Sequence, residues 1–215
     1  MRVVSRDLES GPGACRMKVC SAGYRRGMDA ARGSNVIVEW PDESKEAAQL
    51  VLDTYGEPDE ATPSQLVWHQ RGHWKRIIAT RQFWAHDFPA PHHDSVETVI
   101  DYRVPPQCCS DLASFDGSVV VERTAGEVSA RCHDEQANNL ALNLMHDIVI
   151  GAKTVAGARD YYAHEFLAAR RGHPTPYMDG LDLTPDPDSP DPDERVLSDA
   201  DLEEAVAEGE RRGKG

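Results

Sequence analysis

Gln65-Leu66-Val67-Trp68-His69-Gln70-Arg71-Gly72-His73-Trp74-Lys75-Arg76-Ile77-Ile78-Ala79-Thr80-Arg81 reads as two strand-like runs around a glycine. Branched and aromatic side chains dominate both flanks, which is the composition of a β-hairpin. The spacing places strands at 65–69 and 73–81, joined by Gln70-Arg71-Gly72. A three-residue loop ending in glycine fits a type I turn with a G1 bulge. That register sets Trp68 across from Trp74 and His69 across from His73, with Leu66 and Ile78 beside the tryptophans facing the core. A two-residue Arg71-Gly72 turn would break both pairs.

Working outward, the segment before the hairpin is helical. Ala47, Leu50, Val51 and Thr54 share one helical face, Ser44 stands at the expected N-cap, and Gly56 with Pro58 supplies the stop. Val36-Ile37-Val38 would add a short strand. After the hairpin, residues 82–94 carry Pro89 and Pro91 and read as a long loop, because proline breaks both helix and central strand. Val96–Val104 is the next strand, closed by Pro105-Pro106, and Gln107–Ser114 is a turn or two of helix.

A second hairpin follows at 118–122 and 127–132, across Ala125-Gly126. Its two-residue register puts Val119 and Val121 on one face with Val128, Ala130 and Cys132. The longest apolar stripe in the chain is Ala137, Leu140, Ala141, Leu144, Met145 and Ile148, a helix begun at His133 or Asp134 and ended at Gly151. Its Asn138, Asn139 and Asn143 are expected on the solvent side. Thr154 caps a last helix carrying Val155, Ala158, Tyr162 and Phe166. The expected class is α+β: a mainly antiparallel sheet of about five strands, two hairpins plus one strand, with helices packed on one face.

The ends differ from the middle. Residues 1–33 carry a net +4 and no periodicity, so they read as a disordered basic leader. Residues 174–215 carry a net −9 and an Asp-Pro repeat at 186–193, so they read as an acidic disordered tail, with a short charged helix at 198–212. The expected domain is 34–173.

Net charge −14 argues against nucleic acid and against an anionic membrane surface as partners. No apolar run approaches the ~18 residues of a membrane span, and the leader lacks the apolar segment of a secretory signal. Five cysteines with irregular spacing do not form a disulfide framework. These features point to a reducing, cytoplasmic setting and to a protein or small molecule as partner.

Five of the nine histidines, His69, His73, His86, His92 and His93, fall within 25 residues, with Asp87 and Asp94 among them. Imidazole is the commonest ligand of zinc and related metals, and a carboxylate can complete the set. The candidate ligands of a divalent transition metal such as zinc are therefore His69, His73, His86, His92 and Asp94, centred on the hairpin tip. Trp84 and Phe88, aromatic residues in the expected loop, are candidates for a recognition surface. No P-loop, dinucleotide fingerprint or nucleophile elbow is present. Cys132-His133 are neighbours, but strand alternation points their side chains apart. Two functions compete: a non-enzymatic binding or protein-interaction module, and a metal-dependent, hydrolase-like enzyme using residues 69–94.

Leu52-x-x-Tyr55-Gly56-Glu57-Pro58-Asp59, followed by a tryptophan-bearing hairpin, resembles the helix–hairpin unit of β-lactamase-inhibitor-like and outer-membrane-assembly lipoprotein modules. The resemblance is confined to that unit and assigns no family.

Overall fold

The structure, a computed structural model, describes residues 33–213. The leader, apart from Gly33, lies outside the described residues. A turn of helix, α1 (Gly33–Val36), and a 3-10 turn (Ile37–Glu39) precede α2 (Asp42–Tyr55). Then come β1 (Glu60–Thr62), β2 (Gln65–Arg71), β3 (Trp74–His86) and β4 (His92–Asp101). A 3-10 turn (Pro106–Cys108), α3 (Cys109–Phe115), β5 (Val119–Glu122) and β6 (Glu127–Cys132) follow. Three helices complete the chain: α4 (Glu135–Val149), α5 (Val155–Arg170) and α6 (Asp199–Gly213).

The class is α+β. The sheet has six strands rather than five, all antiparallel, in the order β1-β2-β3-β4-β6-β5. The added strand is β1, three residues that pair with β2 and are too short to carry an alternating pattern. Leu66, Trp68, Ile77, Ala79, Val96, Ile100, Val128 and Ala130 form the inner face, and α2 and α4 pack against it.

The first hairpin turns over two residues, Gly72 and His73, instead of three. Trp68 lies across from Ile77, His69 from Arg76, and Arg71 from Trp74. Gly72 has φ +60° at the first central position, the requirement of a type II′ turn. This register buries Leu66 and Trp68 together with Ile77 and Ala79, which the other would not. His69 and His73 therefore do not face each other.

The expected loop 82–94 is largely strand. β3 runs on to His86 and β4 begins at His92, so only residues 87–91 connect them. Both prolines fall in that connector, at the cis Phe88–Pro89 bond and at Pro91. The pairing shifts between Ala79 and Trp84 and then resumes with Trp84 opposite Asp94 and His86 opposite His92. These outer halves pair chiefly with each other, so no burial alternation marks them in the sequence.

The second hairpin loop is Arg123–Gly126, with Val119 across from Ala130 and Val121 from Val128. This is two residues from the expected register, so the inward face is unchanged. Ile37 is buried in a helical turn and not a strand. Ser44 is not the N-cap of α2; it lies inside the first turn, buried, and its hydroxyl donates to Arg81 O (2.9 Å). The buried face of α2 is Ser44, Ala47, Ala48, Val51 and Leu52, and Leu50 is exposed. Asp134 caps α4 by accepting from Ala137 N (2.8 Å), and Thr154 caps α5 by accepting from Gly157 N (3.1 Å).

The three asparagines of α4 are buried, contrary to the solvent face expected of them. Asn138 Nδ2 donates to Val96 O (3.1 Å) and ties the helix to the sheet. Asn139 donates to Met178 O, and Asn143 donates to Tyr177 O and Gly180 O while accepting from Asp182 N (2.7 Å). Glu165 Oε1 accepts from Tyr177 N and Met178 N. The packed body thus extends past His173. Farther on, Ser189 is fully buried and donates to Gly126 O (2.6 Å), and Arg123 pairs with Asp191 and Asp193. A Cβ on Gly126 would meet Ser189 and Pro190 backbone at 2.4 Å, so the tail's path requires glycine there. Helix α6, close to the expected 198–212, has no buried residue.

Candidate metal centre

The register at the far end of the β3–β4 hairpin sets the site. His86 opposes His92, and Asp94 follows two residues along β4, on the same face as His92. One ligand atom from each of His86, His92 and Asp94 lies within 4.8 Å of the others. His86 Nδ1 stands 3.2 Å from Asp94 Oδ2, and His92 Nε2 stands 3.0 Å from Asp94 Oδ1. Bonds of ~2.0–2.2 Å to one ion at angles between 90° and tetrahedral give donor–donor edges of about 3 Å. The observed spacings are of that size.

Each imidazole turns one nitrogen toward Asp94 and the other toward an oxygen acceptor. His92 Nδ1 is 2.8 Å from Ala90 O, a carbonyl of the proline-bearing connector. His86 Nε2 is 3.7 Å from Asp116 Oδ1. Metal-binding histidines are commonly held with the outer N–H on a carbonyl or carboxylate and the inner lone pair free; Ala90 O is placed to do this for His92, whereas Asp116 makes a longer ionic contact with His86.

Asp94 is 1% exposed, and its Oδ1 receives no directed hydrogen bond; the approach of His92 is an ionic contact off the hydrogen-bond line. Its Oδ2 accepts from the Ser118 hydroxyl, which also lies 3.4 Å from His86 Nδ1. Burial alone would raise the Asp94 carboxyl. His92, Ser118 and His86 outweigh burial and hold it below its ordinary value. The same carboxylate, with Cys132 behind it, pushes His92 up to about 11. Burial raises Asp116, against the Ser118 N–H and His86. Burial also raises the Cys132 thiol, against His92, whose Nε2 is 3.3 Å from Sγ.

Of the five ligands expected from the sequence, three converge and two do not. His69 binds Glu60 (Nε2–Oε1, 2.6 Å) near β1. His73 occupies the turn, its ring edge-on to Trp74 at 4.0 Å, with its imidazole lowered by burial. The two-residue turn separates them. Phe88 is packed rather than offered for recognition: it contacts Tyr162 at 4.9 Å, and the Arg159 guanidinium covers its ring at 3.8 Å. Trp84 remains 38% exposed, with Arg131 stacked 4.1 Å from its ring. His93 packs against Phe83 at 4.7 Å.

Asp116, Ser118 and Cys132 escaped the sequence reading. Asp116 and Ser118 sit in the turn before β5, joined by Ser118 N donating to Asp116 Oδ1 (2.8 Å). Such a turn has no spacing that marks a site. Cys132 had a visible histidine neighbour in His133, but its spatial partner is His92, forty residues earlier.

A cleft of about 430 Å³ lies elsewhere, between α2 and the start of α4, and no cluster residue lines it. No helix among the described residues is long and apolar enough to cross a membrane. Comparison of the chain with protein-family models, curated proteins and solved structures returns no match.

Proposed function

We propose that this protein is a binding module built around a divalent transition metal ion, zinc in the first instance, held by His86, His92 and Asp94. The observation that carries the reading is the convergence on Asp94. A carboxylate with one buried, undirected oxygen meets two imidazole nitrogens at 3.0 and 3.2 Å, and an acceptor stands behind each ring. Two nitrogens and a hard oxygen suit zinc or iron(II) better than magnesium or calcium, which favour all-oxygen shells.

A second reading, a hydrolase-like metal enzyme, draws on a specific feature. Three protein ligands leave a coordination position for water, and zinc lowers the pKa of such water to about 7. The side chains of His86 and His92 are 19% and 17% exposed, so solvent touches both ligands.

The test is metal analysis of protein purified without a polyhistidine tag, followed by titration of chelator-treated protein with zinc. About one ion per chain is expected, with a rise in melting temperature when zinc is restored. His86→Ala, His92→Ala and Asp94→Asn should each lower occupancy, while His69→Ala and His73→Ala should not. Unchanged occupancy in the first three variants overturns the ligand assignment. No bound transition metal and no zinc effect on stability overturns the function.

A further inference from the structure

We infer that Cys132 supplies a fourth ligand, closing the site into a tetrahedral N2OS set that staples β3, β4 and β6 together. The inference rests on the metal reading above and goes beyond it, because it decides between a structural and a catalytic ion.

Three observations carry it. Cys132 Sγ lies 3.3 Å from His92 Nε2, the same nitrogen that faces Asp94 Oδ1 at 3.0 Å. Zinc–nitrogen and zinc–sulfur bonds of about 2.0 and 2.3 Å at a tetrahedral angle put nitrogen and sulfur roughly 3.5 Å apart. The sulfur therefore stands at a ligand's spacing from His92. It lies outside the His86–His92–Asp94 group whose ligand atoms are all within 4.8 Å of one another, so closing the set requires the Cys132 side chain to turn toward the ion. Cys132 also pairs with Val96 across β4 and β6, so it projects from the face that carries Asp94 and His92.

Charge is the third argument. A dication with Asp94 and two neutral imidazoles keeps a net +1 where Asp94 and Cys132 are buried. A thiolate brings the centre to neutrality, which a low-dielectric site favours. Asp116 meets the outer nitrogen of His86 instead of the centre, so it supports a ligand without replacing the sulfur. When the ion binds, the Cys132 thiol proton and the proton on the ligating nitrogen of His92 leave to solvent, and no electron is transferred.

Four protein ligands leave no position for water, which is the signature of a structural zinc site. The ligands come from three adjacent strands: His86 on β3, His92 and Asp94 on β4, and Cys132 on β6. The ion would lock the β3–β4 tip to the end of β6, where β4 and β6 pair no farther than Val96 and Cys132.

Cobalt(II) substitution of the full chain separates the two claims. Visible d–d absorption reports that the ion is bound, and near-ultraviolet sulfur-to-cobalt charge transfer reports a thiolate ligand. Expected are both bands in the natural protein, with loss of the near-ultraviolet band in Cys132→Ser. Visible bands without the charge-transfer band, or a charge-transfer band that survives Cys132→Ser, overturn the inference and leave the three-ligand reading standing. No cobalt binding overturns both. Should Cys132→Ser fail to fold, X-ray absorption of the zinc-loaded natural protein decides. One sulfur at about 2.3 Å supports the inference, and a shell of nitrogen and oxygen alone overturns it.

Discussion

Replacing Asn143 by alanine tests how the segment after α5 is held. The side chain is buried and makes three hydrogen bonds to backbone two elements away. Nδ2 donates to Tyr177 O at 3.0 Å and to Gly180 O at 2.8 Å, and Oδ1 accepts from Asp182 N at 2.7 Å. A typical intramolecular hydrogen bond contributes ~1 kcal/mol net, and a buried partner left unpaired costs ~1–3 kcal/mol. Water can reach part of this half-buried segment, so the three losses should sum to about 2–4 kcal/mol. That is a large share of the ~5–15 kcal/mol that holds a domain together, so the variant should fold but melt early. Urea unfolding followed by tryptophan emission reads the stability, since Trp40, Trp68 and Trp74 are all buried. Limited proteolysis reads the segment: cleavage within 174–193 should become faster than cleavage in the core. Asn143→Asp should be worse than alanine, because a carboxylate would face the carbonyls of Tyr177 and Gly180. A loss under ~0.5 kcal/mol with unchanged cleavage would refute the clamp.

Gly126→Ala should destabilise by about 1–2 kcal/mol and expose residues 186–193 to protease, since φ +67° and the 2.4 Å approach of Ser189 and Pro190 both exclude a Cβ; an unchanged melting temperature counts against the tail's path. Glu127 is held down to about 2 by hydrogen bonds from Arg76 first and Lys75 next. Its folded value lies below its unfolded one, so its stabilisation is complete above pH ~4.5 and disappears as pH falls through about 2. Glu127→Gln should therefore cost about 1–2 kcal/mol at pH 7, after allowance for solvent screening, with the gap from the natural protein closing toward pH 2. A gap that is constant with pH would contradict the ion-pair account. Asp116→Asn should weaken zinc binding about 10–100-fold without altering the ligand set, as loss of the carboxylate behind a metal histidine does. Equal affinity would show that Asp116 does not orient His86.

Much of the fold was legible because it is local. The stripe Ala137–Ile148, the caps Asp134 and Thr154, and the hairpins around Gly72 and Gly126 follow from helical and strand periods and from turn chemistry. The second hairpin slipped by two residues at no cost to the reading, because two residues preserve the face. The first slipped by an odd number, and there the face and the His69–His73 pair both changed.

The candidate site divides along the same line. His86, His92 and Asp94 could be named from the chain, since metal ligands are few in kind and these lay within nine residues. Sequence alone could not separate them from His69 and His73. That choice depends on strand pairing, which sets which side chains share a face, and pairing is decided by the whole inner surface being buried at once. Composition likewise identified the acidic, proline-rich character of the tail but not its docking. Asn139, Asn143 and Glu165 bind backbone groups of residues 177–182, and any sequence carries such groups. The chain by itself determined the α+β class, the principal helices and the residue types available for chemistry. The tertiary structure decided the register, the burial of the three asparagines, and the meeting of Cys132, Asp116 and Ser118 with two histidines, because these contacts join positions that no local period connects.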